Sequence, residues 1–445
     1  MKKQLISLAA LLMSALCLGA CTSDTPSASG DSSTGTDNQE QQTLVVWSRG
    51  TADAMEGKCF LSDVEAFQKE HENVTVEHLI LSTEDQVAKW NTAFASGTDP
   101  DVMDIGVSHI VSRVELGQIT PLDEFFENWD NKDNLLPSMV EYGRYDDHIY
   151  SLAYNASPSV MAWRKDYFEA AGLDPEKAPK DWAEFLEYCE ALTIYDGDVM
   201  KQGAVSLPST YNSTILWQFM IQNNAETLTY ENNTPDFNQE PVIEAFQFLS
   251  DIAPYAMLGE KDNTFSTFVN GQTAMCLQIA PATIISMIEE DPSLKDKIGY
   301  QASLTNKEGG IHCGAWTYAI TERCKNKDLA WSWIDFVFSE ERCTARMEEQ
   351  GMVPPLASLQ DVYQEFGGEY GDLYVTQLGN LKQSQAYPKV SWSNAYEETL
   401  RSTYDWLVYG EKSAEQAAAD ATQECLNKIH FCQVGLAADH PIGHK

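Results

Sequence analysis

Two short groups of residues have the types and spacing for chemistry. Trp47, Ser48 and Arg49 directly follow the apolar run Leu44-Val45-Val46, and Asp104, Ser108 and His109 end or follow the run Asp101-Val-Met-Asp-Ile105. Both groups fall at strand ends, where open α/β sheets place their ligands. One ligand that these residue types suit is a sugar. A sugar ring has an apolar C–H face and a hydroxyl edge, so its site needs flat aromatics for the face and carboxylates, amides or hydroxyls for the edge. Arg49 adds planar donors for a hydroxyl pair or an acid. Tyr211 and Asn212 form a third group, after the strand-like Ala204-Val-Ser-Leu-Pro208 and before a helix around Trp217. Eleven Trp and 19 Tyr favour such a ligand. An amino acid would instead need a dedicated carboxylate and amine clamp, which the sequence does not display.

Covalent and metal chemistry finds no foothold in the sequence. HExxH, GxSxG, GxxxxGK and a helix-opening GxGxxG are all missing. Asp196-Gly-Asp198 begins like a calcium loop, but Val-Met-Lys-Gln follows without ligands. The pairs Glu289-Glu290, Glu340-Glu341 and Glu397-Glu398 sit in charged, helix-like stretches and read as solvated surface. His71, His78, His109 and His148 lie in separate elements. No Cys/His spacing matches a zinc site. No cofactor and no metal are expected, and the chain is not expected to be an enzyme. A secreted glycoside hydrolase is the rival in that class, since it too would be acidic and aromatic-rich and would need two carboxylates ~5–9.5 Å apart.

The charge balance narrows the partners. With 67 Asp+Glu against 29 Lys+Arg, the formal net charge of the 445 residues is −38. Nucleic acid is excluded, because ~6–10 phosphate contacts need a basic stripe. Lys2 and Lys3 precede an apolar run from Leu5 to Leu18, so residues 1–20 read as a signal peptide. Leu18-Gly19-Ala20-Cys21 resembles a bacterial lipobox, with Cys21 as the acylated first residue of the mature chain. Residues 21–42 are Ser-, Thr-, Gly- and Asp-rich and read as a disordered tether. The protein is therefore expected outside the cytoplasm, anchored to the cell membrane by lipidated Cys21. Eight further cysteines remain: Cys59, Cys189, Cys276, Cys313, Cys324, Cys343, Cys425 and Cys432. They pair as disulfides, Cys425 with Cys432 and Cys313 with Cys324 or Cys276 being the nearest choices, or stay as free buried thiols.

The elements that must position these groups follow an α/β rhythm. Strands are expected at Leu44–Trp47, Val74–Leu81 and Asp101–Ile105. A helix around Val64 and Phe67 and another from Asp85 to Ala95 separate them, the second with Val87, Trp90, Ala93 and Phe94 on one face. Trp90, Trp163, Trp182, Trp217, Trp331 and Trp333 lie at helical spacing or beside helix-like runs and read as core.

A set of short motifs runs in order along nearly the whole mature chain. They are Ala95-Ser-Gly-Thr-Asp-Pro-Asp-Val102, Leu116-Gly-Gln-Ile-Thr-Pro-Leu122, Ala162-Trp-Arg-Lys-Asp-Tyr-Phe-Glu-Ala-Ala-Gly-Leu173, Phe268-Val-Asn-Gly-Gln-Thr-Ala-Met275, Gly314-Ala-Trp-Thr-Tyr-Ala-Ile320, Gly351-Met-Val-Pro-Pro355 and Tyr409-Gly-Glu-Lys-Ser-Ala-Glu-Gln-Ala417. In this order, behind a lipobox, the sequence resembles extracellular solute-binding proteins of family 1, the lipoprotein receptors of carbohydrate ABC importers. The resemblance implies a two-lobed, periplasmic-binding-protein-like α/β fold of type II with a ligand cleft between hinged lobes. Lobe 1 would take residues 43–153 plus about 311–354, and lobe 2 residues 154–310 plus about 355–445. It implies an oligosaccharide ligand, membrane permease partners and a monomer; a polyamine or another solute is the alternative on the same fold. It also places further contacts at Tyr154, Asn155 and Ser157 in the crossover, at Gln278 and Pro281, at Trp316 after the Gly309-Gly310 crossing, and at Trp392 and Tyr396. Relatives often carry an acid where Ser157 stands and a Trp near Gln278, so this chain departs from the pattern at both.

Overall fold

In the computed structural model, residues 40–209, 212–225, 234–259 and 265–439 are described, with 83–84 and 431–439 as backbone only. Along the strand Gln42–Arg49, Leu44, Val46 and Ser48 are buried in strict alternation, the period-2 mark of a strand with one face on a core. The helix Met55–Glu70 buries Phe60, Asp63, Val64 and Phe67, a stripe spaced at three and four residues. The next helix, Thr83–Ser96, is capped at Ser82, which accepts from the Asp85 amide, and stops at Gly97 with φ 74°. Every residue of the strand Val102–Gly106 is buried, as expected of a strand covered on both faces.

These strands join a five-stranded sheet in the order Val74–Leu81, Gln42–Arg49, Val102–Gly106, Trp316–Ile320, Leu152–Asn155. The first three run parallel, and Trp316–Ile320 is inserted antiparallel between its two neighbours. The chain thus leaves this sheet at Asn155 and returns at Trp316. In between it builds a second sheet, ordered Ala256–Gly259, Val199–Pro208, Thr273–Ile279, Val160–Arg164, Ile298–Gln301, with Ile194–Asp196 pairing at the side of Val199–Pro208. A parallel pair, Ile311–His312 with Ser384–Gln385, ties the two later passages together.

Each sheet has its own core. One gathers Phe60, Phe67, Trp333, Val337 and Tyr318 on the first sheet and reaches on to Leu356, Tyr363, Tyr374 and Leu381. The other gathers Trp182, Trp217, Phe246, Phe268 and Met275 on the second, and takes in Tyr396, Tyr404, Ala418 and Cys425 from the helices Ser393–Val408 and Ala414–Asp439. Cys59, Cys189, Cys276, Cys313, Cys324, Cys343 and Cys425 are all buried free thiols. The Cys432 side chain lies outside the described residues, as do Cys21, the signal segment, the tether up to residue 39 and residues 440–445; the tether expected to run to Gln42 ends earlier, because Gln42 already pairs with Val74 in the first sheet. Among the described residues, no helix is long and apolar enough to cross a membrane.

Candidate functional site

Asp104 sits at the centre of the first sheet, beside Gln42–Arg49 on one side and the returning strand on the other. Its Oδ2 accepts hydrogen bonds from the Tyr154 hydroxyl at 2.7 Å, the Ser48 hydroxyl at 3.3 Å and the Arg49 amide at 3.4 Å. The Arg49 Nε stands 4.0 Å away. Burial pushes the Asp104 carboxyl above the usual carboxylate range, against the pull of Arg49 and of the hydroxyl donors. Burial, then the Asp104 charge, pushes the Tyr154 phenol well above its ordinary value. Tyr154 also stacks on Tyr318 with ring centroids 4.7 Å apart. The Arg49 guanidinium lies over the Trp316 ring, 4.0 Å from its centroid.

Next to this network, at the sheet edge where Val102–Gly106 ends and Trp316–Ile320 begins, lies a cavity of about 710 Å³. Ser108, His109, His312 and Trp316 line one wall, and Tyr387, Asn394, Glu397 and Arg401 the other. The walls meet where the Asn394 Nδ2 donates to the His109 Nδ1 at 3.0 Å. Taking that role as acceptor, His109 is neutral with its proton on Nε2. Burial, helped by the Arg113 charge, lowers its pKa to about 4, and burial lowers that of His312 to about 4. His109 also packs edge-on against Trp90 at 5.5 Å. Glu397 and Arg401 neutralise each other at 2.5 Å, one helical turn apart.

Ser108, His109 and Trp316 thus come together in one wall, backed by Ser48, Arg49, Asp104 and Tyr154. Trp47 is half-buried against the cluster of Trp90, Phe94 and Met103. Asn155 accepts from the exposed Ser157 hydroxyl at 3.1 Å. Asn212 caps the helix Thr214–Gln222 through the Ile215 amide at 3.1 Å, and buried Gln278 bonds Thr214 at 2.8 Å and Gln218 at 2.6 Å. Pro281 opens the helix Pro281–Glu290 and is buried there. Trp392 and Tyr396 are buried in the second core, where Tyr396 packs against Trp217 at 5.6 Å and Phe237 at 5.1 Å. Tyr211 lies outside the described residues. His312, Asn394 and Arg401 went unnoticed in the sequence, and Glu397 reads there only as surface. The last three recur at spacings of three and four, so a helical projection of the segment behind Trp392 puts them on one face, and Glu397 is not the solvated surface residue it resembled. Among the described residues no cluster of metal-ligating side chains occurs.

A two-lobed frame with its polar cavity at the ends of sheet strands is the plan of a receptor for small solutes. Residues 53–342 match the family model described as bacterial extracellular solute-binding protein. The chain belongs to this family. In sequence, this solute-binding protein is similar to the sn-glycerol-3-phosphate-binding periplasmic protein UgpB of Pectobacterium atrosepticum, 24% identical over 341 residues, 70% of this chain and 73% of the relative. In structure it is similar to the sugar-binding protein MalE of Xanthomonas citri, with 20% identity and a TM-score of 0.74 over 88% of this chain and 98% of that one. The cyclic alpha-maltosyl-1,6-maltose binding protein of Arthrobacter globiformis matches with 18% identity and a TM-score of 0.72, covering 86% and 97%. At such identities the structural likeness carries the fold, a two-lobed solute-binding fold of mixed α/β type.

Proposed function

We propose that this solute-binding protein captures a carbohydrate, most simply an oligosaccharide, in the cavity between Trp316 and the helix Ser393–Val408, and hands it unaltered to the membrane subunits of an ABC importer. The observation that carries the reading is the composition of the walls. One aromatic, Trp316, shares the lining with amide, carboxylate and guanidinium groups at Asn394, Glu397 and Arg401, the combination of flat apolar and hydrogen-bonding surface that a sugar presents in mirror image. A cavity of about 710 Å³ has room for more than one ring. The lobes are hinged so that a ligand touching both favours closure; Tyr154 and the segment after Pro355, expected in the second lobe, instead join the first core, through Tyr154, Leu356, Tyr363, Tyr374 and Leu381. Residues 1–41 supply the lipid anchor at Cys21 and a tether that ends where the strand begins at Gln42, and they hold the receptor at the outer membrane face as a monomer.

A phosphorylated polyol is the second reading, supported by the sequence relative UgpB. It fits less well, because Glu397 already neutralises Arg401 and Glu398 adds a further negative charge to the same wall. A thermal-shift screen of the mature chain against mono- and oligosaccharides, glycerol 3-phosphate and polyamines tests both. A ligand at 100 times Kd adds about 2.7 kcal/mol, a shift of several degrees. A shift with saccharides, recovered intact, supports the reading; a shift with glycerol 3-phosphate alone replaces it, and cleavage of the sugar makes the protein a hydrolase. In the same assay Trp316→Ala is expected to weaken saccharide binding about tenfold or more.

A further inference from the structure

Arg49 has the donors to touch a ligand directly, yet its surroundings give it another task. We propose that Arg49 is a positioning residue, whose guanidinium, held by Asp104 and Tyr154, backs the Trp316 ring and fixes the aromatic wall of the cleft. The proposal rests on the reading of that cleft as a saccharide site.

Three observations carry it. The guanidinium carbon lies 4.0 Å from the Trp316 ring centroid, inside the range of a stacked cation–π pair. Trp316 lines the large cavity and Arg49 does not; Arg49 instead faces a separate cavity of about 20 Å³ shared with Asp63, Tyr154 and Arg346. The Arg49 side chain is only 14% exposed, and that of Asp104, its counter-charge, is 0% exposed. Arg49 is therefore tethered from behind, by its own amide to Asp104 and by the charge of that carboxylate, while its flat face meets the ring. A planar, weakly hydrated guanidinium suits this place better than an ammonium. The gain to the ligand is indirect: an indole already held in one rotamer loses no side-chain freedom when a sugar stacks on it. The Asp104 carboxylate, fixed through its Oδ2 by the Ser48 and Tyr154 hydroxyls, is then the anchor of Arg49.

The test uses the mature chain with and without ligand. Without ligand, the Trp316 emission is isolated as the difference between a protein and its Trp316→Phe partner, in the native and in the Arg49→Met background, and quenched with acrylamide. Arg49→Met is expected to raise the quenching of that component about twofold, with Arg49→Lys between the two. Unchanged quenching in both variants overturns the proposal. With maltotriose and mannotriose as probes, Arg49→Met is expected to weaken binding about tenfold in the native background and less than twofold in a Trp316→Ala background, because its effect passes through the ring. Equal losses in both backgrounds make Arg49 a direct ligand contact and also overturn it. Should the wild type bind neither trisaccharide nor any other saccharide, the reading of the cleft fails, while the quenching result still decides the role of Arg49.

Discussion

His109 and Asn394, 285 residues apart, meet at 3.0 Å across the cavity and join the start of the helix Val107–Glu115 to the start of the helix Ser393–Val408. Removing the amide in Asn394→Ala deletes a contact worth about 1 kcal/mol. If the contact belongs to the closed, ligand-bearing form, saccharide affinity falls about fivefold in calorimetric titration. An unchanged Kd would place the contact outside the ligand-bearing form.

The same histidine makes stability depend on pH. The folded chain holds His109 and His312 neutral down to about pH 4, whereas an unfolded histidine protonates near 6.5. Between those values the unfolded chain binds protons that the folded chain excludes. Stability from these two groups is therefore full above about pH 7 and is lost as pH falls from about 6.5 toward 4, by an amount on the order of 2–3 kcal/mol each. Urea midpoints at pH 7 and 4.5 check this; the drop is expected to shrink in a His109→Gln, His312→Gln double variant, and an equal drop would contradict it.

Asp63 is the shared partner of two buried guanidiniums, Arg342 Nε at 2.6 Å and an Arg346 terminal nitrogen at 3.2 Å, and so fastens the helix Met55–Glu70 to the helix Glu340–Gln350. Asp63→Asn leaves both cations without a counter-charge in the interior. The expected loss is about 3–5 kcal/mol in urea unfolding. A loss under 1 kcal/mol would show that water reaches the pair.

The cysteines are a third test of the interior. Burial raises the thiols of Cys59, Cys313, Cys324 and Cys425 to about 12 and that of Cys343 to about 11, so little nucleophilic thiolate forms at neutral pH. The seven described thiols are expected to react with Ellman's reagent only after unfolding, and reducing agent to leave the melting temperature unchanged. Rapid native reaction of several thiols, or a fall in melting temperature on reduction, would contradict the free, buried state.

Much of the frame was legible before any coordinates. The strand expected at Val74–Leu81 spans those residues, that expected at Asp101–Ile105 is Val102–Gly106, and the helix expected from Asp85 to Ala95 is Thr83–Ser96. Each rests on local signals, alternation or a short apolar run in the strands and a three-and-four spacing closed by Ser82 and Gly97 in the helix. The side chains at the site were less legible. Trp392 and Tyr396, chosen as aromatics, turn into the second core, while the same helix offers Asn394 and Glu397 to the cavity. Which face of that helix looks inward depends on what packs behind it, here Trp217 and Phe237.

The sequence by itself determined the acidic charge, the α/β rhythm, the ordered motifs and the strand ends at Trp47–Arg49 and Asp104–His109, because each is set by composition or by neighbours a few residues away. Only the tertiary structure decided that Asp104 spends its carboxylate on Ser48, Arg49 and Tyr154, that Arg49 stacks behind Trp316, and that His109 reaches Asn394. Those partners lie 50 to 285 residues apart, and they meet because the chain leaves its first sheet at Asn155 and returns antiparallel at Trp316. Strand order of that kind is fixed by the burial of two whole cores, and no local period encodes it.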